Sequence, residues 1–146
     1  MSISDDEKFM QMAYREAQAA YSDGEIPVGA VVVCNGMVIA RSHNLTEMLN
    51  DVTAHAEMQA ITAATNQLGG KYLNKCTMYV TLEPCIMCAG ALGWSQLGRL
   101  VWGADDVKRG FSRFAPEALH PKTEIAKGVM AKECAEIIQE FFKNKR

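Results

Sequence analysis

Two short words constrain the fold of this chain more than anything else in it: Thr53-Ala54-His55-Ala56-Glu57-Met58 and Leu82-Glu83-Pro84-Cys85-Ile86-Met87-Cys88. The second spaces two cysteines three residues apart, so on a helix both sulfurs lie on one face and can reach a single ion. Pro84 suits the first position of a helix, where its missing N–H costs nothing. The sulfurs then sit near a helix N-terminus, whose dipole favours the thiolate. The first word supplies His55 and, two residues on, Glu57. Imidazole and thiolate are zinc ligands, and zinc favours four of them in a tetrahedron. His55, Cys85 and Cys88 make three. A structural zinc fills its fourth position with protein, whereas a catalytic one leaves it to water. A fold for this chain therefore has to bring two distant words together, with Glu57 beside the ion but not bound to it.

The His-Glu spacing sets a further demand. A residue two on in a helix points about 200° away, so His55 and Glu57 cannot share one regular face. Both approach an ion only if it lies off the helix end. A C-x-x-C pair by itself reads as a redox pair or half of a structural zinc site. With H-A-E upstream and proline directly before the first cysteine, the two words match the H-x-E…P-C-x-x-C signature of the zinc deaminases, where the glutamate is a general acid–base and not a ligand.

Composition sets limits. With 146 residues, 49% apolar and 22% charged, the chain has the size of one domain, residues 1–146, with material for a full core. No apolar run approaches the length of a membrane span, and the first seven residues are polar, unlike a secretory leader. The expectation is a cytoplasmic protein with no membrane partner. Five cysteines in a leaderless chain read as thiols or ligands, not a disulfide framework. Cys34, Cys76 and Cys134 sit among apolar or β-prone neighbours as small core residues. If Cys34 or Cys76 closed the metal site instead, the protein would be a zinc-stapled binding module without turnover. The net charge of -2 excludes broad nucleic-acid binding driven by overall charge, though not a local basic face.

Along the chain, Ser4 and Glu7 form a capping box ahead of a helix that ends near Asp23-Gly24. Residues 26–34 are a β-prone run starting around Pro27, and Asn35-Gly36 turns it into a returning strand over residues 37–41. The first strand is apolar almost throughout, so both its faces should be covered. Residues 42–52 read as a loop, and Thr53 as the cap of the next helix. A strand over residues 76–82 delivers Glu83-Pro84-Cys85 at its C-terminal end, where open α/β sheets place their sites. A helix over residues 84–95, a strand over 99–102, a charged loop over 105–120, a short strand over 123–125 and a helix over 131–143 complete an alternating α/β pattern.

The chain resembles the bacterial tRNA-specific adenosine deaminases over nearly its whole length. The words that carry the resemblance are Ile26-Pro27-Val28-Gly29-Ala30-Val31, the H-A-E word, and Tyr79-Val80-Thr81-Leu82-Glu83-Pro84-Cys85, which continues through Ile86-Met87-Cys88-Ala89-Gly90-Ala91. Glu133-Cys134-Ala135, Phe141-Phe142 and a basic tail add to them. The resemblance implies a three-layer αβα fold of cytidine-deaminase type with a five-stranded mixed sheet, one zinc ion per chain, and a homodimer. It implies a reaction too: hydrolysis of the wobble adenosine of a tRNA anticodon stem-loop to inosine, with release of ammonia. By the same resemblance Asn44 holds the purine, Ile26 and Val28 wall the pocket, Ala56 and Glu83 join them in substrate binding, and Asp106 lies in the loop beside the target nucleotide. The chain departs from the family pattern at Val52, over Gly93-Trp94-Ser95-Gln96, and in a shortened segment over residues 110–123. The alternative within enzymes is a deaminase of free guanine, cytosine or cytidine. Phe111, Phe114, Lys108, Arg109 and Arg113, with Lys143, Lys145 and Arg146 at the tail, are the aromatic and basic side chains suited to stacking and phosphate contact.

Overall fold

The structure is a computed structural model and describes residues 3–145. Helix α1 (Ile3–Ser22) leads into a hairpin of β1 (Gly29–Cys34) and β2 (Met37–His43). Asn35 and Gly36 between them have φ of 53° and 76°, as a mirror-image two-residue turn requires. Helix α2 (Ala56–Leu68), strand β3 (Cys76–Leu82), helix α3 (Ile86–Trp94) and strand β4 (Arg99–Ala104) follow. One helical turn, α4 (Phe111–Phe114), interrupts the long loop before β5 (Glu124–Lys127) and the final helix α5 (Ala131–Asn144).

The sheet has the order β2-β1-β3-β4-β5. Strand β1 is antiparallel to β2 and β3, and β3, β4 and β5 are mutually parallel. Successive residues on a strand face opposite sides, and the core divides accordingly. Ala30, Val32, Met78, Val80, Leu100 and Trp102 pack on the α2–α3 side. Val31, Val33, Tyr79 and Val101 pack with Phe9, Met10 and Ala13 of α1 and Cys134 of α5. The fold is thus the three-layer αβα arrangement with a five-stranded mixed sheet, and the apolar run of β1 is explained by burial on both faces.

Several boundaries differ from those read off the sequence. Strand β1 starts at Gly29 and not at Ile26, because Pro27 has no N–H to give and the Val28 N–H closes a tight turn onto the Ile26 carbonyl (2.9 Å). Gly29 is where α1 lies on the sheet: a Cβ there would collide with the Ala13 carbonyl oxygen. Strand β2 runs on to His43, and β5 covers residues 124–127. Helix α1 already includes Ile3, so Ser4 lies within the helix and is not the cap residue that the sequence suggested. Among the described residues no helix is long and apolar enough to cross a membrane.

One buried ionic group ties α1 to the sheet. Asp6, 6% exposed, takes two hydrogen bonds from the Arg99 guanidinium, each 2.8 Å, and one from the Tyr79 hydroxyl at 2.7 Å. The bidentate Arg99 contact holds the Asp6 carboxyl below its ordinary value of 3.8. Among the described residues, Asp6→Asn leaves the half-buried Arg99 with only a long 3.9 Å ion pair, to the exposed Glu124, and urea denaturation at pH 7 should show a loss of about 2 kcal/mol, that of a hydrogen-bonded charged group. A carboxylate with a depressed folded pKa stabilises above its unfolded pKa and loses that contribution as pH falls through the folded value. The gap between Asp6→Asn and wild type should therefore close below pH 3.8.

Candidate metal centre and its cleft

The two words meet at neighbouring helix starts. His55 is the cap residue of α2, with extended backbone (φ -69°, ψ 155°). It therefore stands outside the helix while Glu57 occupies the first turn, which meets the geometric demand of the H-x-E spacing. Thr53 is not the cap; its hydroxyl donates to Asp51 Oδ1 at 2.7 Å. Cys85 is likewise the cap of α3 (φ -74°, ψ 174°), so Pro84 precedes the cap where the sequence suggested the first helical position. Cys88 is the third helical residue, which a cap side chain naturally approaches.

His55 Nδ1 lies 3.6 Å from Cys85 Sγ and 3.5 Å from Cys88 Sγ. All three donor atoms fall within 4.8 Å of one another, and among the described residues no fourth His, Cys, Asp or Glu joins them. Cys34 and Cys76 are partners across β1 and β3 and form no part of this group. The cluster can hold a metal ion with room for a further, non-protein ligand.

The electrostatics fit a metal-seeking site. A hydrogen bond from the Cys88 thiol holds Cys85 down to about 4 against the opposing effect of burial, with His55 adding to the effect. The same contact and burial push Cys88 up, so one proton serves two sulfurs. Metal binding replaces that proton, since thiolate and not thiol is the ligand. The bonded Cys85 raises the His55 pKa. Glu57 is 4% exposed; burial pushes its carboxyl up to about 7, and Cys88 hydrogen-bonds to it.

A cleft of about 570 Å³ opens over the cluster, lined by His55, Cys85, Ile86, Lys108, Arg109 and Phe114. Two of the residues that could hold a metal thus share this cleft with basic and aromatic side chains. Phe111, in contrast, is core: it is 2% exposed and meets Trp102 edge-on at 5.6 Å, so it has no face for a base. Arg113 lies 5.2 Å over the Phe114 ring and donates to the Val107 carbonyl at 3.1 Å. Lys143 and Lys145 do not line the cleft, and Arg146 lies outside the described residues.

Asn44 is buried, and its Oδ1 has no protein partner, while Nδ2 makes only a long contact of 3.4 Å to Thr46 Oγ1. Val28 packs on the core and Ile26 is 38% exposed. Ala56 is fully buried, with its carbonyl accepting from the Ser42 hydroxyl at 2.6 Å. Asp106 Oδ1 accepts the Lys108 and Arg109 N–H groups at 3.1 and 3.0 Å. The Glu83 carboxylate faces the backbone of the loop around Asp106. Glu25 escaped the sequence reading. It is 1% exposed and accepts the Glu47 and Met48 N–H groups at 2.9 and 2.8 Å, bracing the loop after Asn44. An acid set just before Ile26-Pro27-Val28 was the available signal.

A model of the MafB19-like deaminases matches residues 4–146. The chain belongs to this deaminase family. A tRNA-specific adenosine deaminase of Agrobacterium fabrum is 44% identical over 143 residues, 94% of each chain. A structure from a study of A-to-I editing by tRNA:A34 deaminases at the wobble position of transfer RNA is 44% identical, with a TM-score of 0.83, over 89% of this chain and 98% of that one. A guanine deaminase structure from Bacillus subtilis is 39% identical with a TM-score of 0.65, over 68% of this chain and 64% of that one. In a deaminase of this family the cluster should be the sole tight metal site. Cys88→Ala or His55→Ala, dialysed and assayed by elemental analysis, should retain no stoichiometric metal, whereas Cys34→Ala should retain it in full.

Proposed function

We propose that this deaminase hydrolyses adenosine to inosine at the wobble position of tRNA and releases ammonia, using zinc held by His55, Cys85 and Cys88. The observation that carries the reading is a buried glutamate beside a cluster of three metal-ligating side chains, two of which, His55 and Cys85, line a cleft together with Lys108, Arg109 and Phe114. The ligand distances support zinc. Tetrahedral bonds of about 2.3 Å to sulfur and 2.05 Å to nitrogen place the two donors roughly 3.6 Å apart, against the 3.5 and 3.6 Å found. The names of the relatives support adenosine in tRNA.

Bound zinc would supply a water molecule acidified to a pKa near 7. Glu57 takes the proton of the attacking water and places it on N1 of the adenine ring as oxygen bonds to C6. It then carries the second proton to the departing 6-amino group. The balance is one water in, one ammonia out, with Glu57 ending as it began. Asn44 offers its amide to the adenine: the unmatched buried Oδ1 accepts from the 6-amino N–H, the base's only N–H donor, and the loosely held Nδ2 donates to a ring nitrogen. Lys108 and Arg109 meet phosphates, and the 56% exposed Phe114 suits a stacked base once the target nucleotide has left its own stack. Glu83 and Asp106 serve substrate binding through the loop that they organise. The same reading makes the enzyme a cytoplasmic homodimer; Trp94, 86% exposed on the helix that carries Cys88, supports a protein partner there.

Glu57→Gln should keep its zinc while turnover falls by at least about 10²–10⁴-fold. Ammonia release from an anticodon stem-loop RNA, measured beside adenosine, guanine and cytosine, should occur with the RNA alone; release from a free base would reverse the assignment. Asn44→Ala removes an atom with no structural partner. Its melting temperature should stay near wild type while kcat/KM falls by about 100-fold, as when a buried polar group of a substrate loses its mate.

A further inference from the structure

We propose that Glu83 is a positioning residue: its buried carboxylate staples the loop carrying Lys108 and Arg109 to the segment that carries the metal ligand Cys85, and so sets where that loop meets a nucleic-acid backbone. The nucleic-acid part of this rests on the function proposed above.

Glu83 is 5% exposed and stands two residues before Cys85, separated from it by the stiff Pro84. Its own N–H donates to the Ala104 carbonyl at 2.8 Å, which anchors it to the end of β4. Its carboxylate then spans the loop. Oε1 accepts the Asp106 N–H at 3.1 Å and Oε2 accepts the Ser112 N–H at 3.0 Å. These amides bracket Lys108 and Arg109.

Neighbouring contacts bind the same two segments. Phe111 N–H donates to the Pro84 carbonyl at 2.9 Å, and Cys85 and Gly110 form an isolated β-bridge. Gly110 has no side chain where one would stand on the Glu83 carboxyl group. Inside the loop, Asp106 turns the chain by accepting the Lys108 and Arg109 N–H groups. The position of both basic residues relative to Cys85 is therefore set by this carboxylate together with the backbone contacts at Pro84 and Gly110.

The chemistry requires the anion. Two backbone donors converge on the two oxygens, and an ionised carboxylate accepts at both, whereas glutamine accepts at one and presents N–H groups at the other. Glu83→Gln thus sets a donor against a donor with almost no change in size. Gly110→Ala attacks the same contact from the other side by crowding the carboxyl group.

Both variants should be made in the zinc-loaded enzyme, with Glu25→Gln, which loosens the loop after Asn44, as a comparison. Zinc content should stay stoichiometric. Amide exchange at Asp106 and Ser112 should quicken by about tenfold in Glu83→Gln, the effect of one lost buried hydrogen bond, and should be unchanged in Glu25→Gln. With anticodon stem-loop RNA, KM should rise about tenfold while kcat changes by less than about threefold, a loss of uniform binding. The plot of log KM against log salt should flatten by up to about two phosphate contacts, those of Lys108 and Arg109. Gly110→Ala should reproduce the pattern, and the double variant should be no worse than the stronger single.

Unchanged exchange at the two amides would overturn the staple. A fall in kcat at constant KM, or an unchanged salt dependence, would overturn its role in placing the basic residues. Exchange is read without substrate, so wild-type enzyme that releases no ammonia from the RNA would sink the functional reading while the staple is still decided.

Discussion

An imidazole, two sulfurs and a buried carboxyl group crowd into a few ångströms here, and the rest of the architecture exists to make that crowding tolerable. Taken alone the arrangement is unfavourable: burial penalises each charged form, and like charges at this range repel. Three things offset it. Helices α2 and α3 both begin at the cluster, so their N-terminal dipoles favour negative charge there. A proton shared between Cys85 and Cys88 removes one charge. A divalent metal would remove the remainder and fix both sulfurs as thiolates. Metal affinity and the geometry of the fold are thus two descriptions of one compensation.

The caps make this possible. A cap residue has extended backbone and is free of the helical spacing that follows it. His55 and Cys85 both hold such positions, and each reaches across the gap between the helices, while Glu57 and Cys88 follow inside the first turns. The sheet sets the distance between those helix starts, because β3 ends where α3 begins and the Asn44 loop leads from β2 toward α2. Loops that would otherwise leave backbone N–H groups unpaired are closed by buried acids: Glu25 for the loop after Asn44, and Glu83 for the loop that carries Lys108 and Arg109. Each takes two backbone amides on its two carboxylate oxygens, and so ties its loop down.

Much of this was legible in the one-dimensional chain, and the misses have physical causes. The ligand trio and Glu57 stood out because metal chemistry admits few residue types and spacings. The core alternation of Val31, Val32 and Val33 and the turn at Asn35-Gly36 follow from local rules. Both helix starts differ by two residues from the local reading, because Thr53 and Pro84 are intrinsically good starters and the local rule names them; long-range pairing of His55 with the cysteines overrode it. Phe111 looked suited to stacking on a base because an aromatic in a charged loop is ordinarily exposed. Only its packing against Trp102, nine positions earlier in sequence and in another element, makes it core. Glu25 and Glu83 could not be given their roles in advance, since a carboxylate's partners here are backbone amides that carry no residue identity.

The amino-acid sequence by itself determined the chemistry: which side chains seek a metal, which acid stands next to them, and which runs are strand or helix. These depend on residue type and near-neighbour spacing, which a linear chain displays. The tertiary structure alone decided which polar groups share a boundary: that Asn44 keeps a buried oxygen unpaired, that Lys108 and Arg109 line one cleft with His55, and that Glu83 holds their loop. Those are relations between segments brought together by the sheet, and no local energy encodes them.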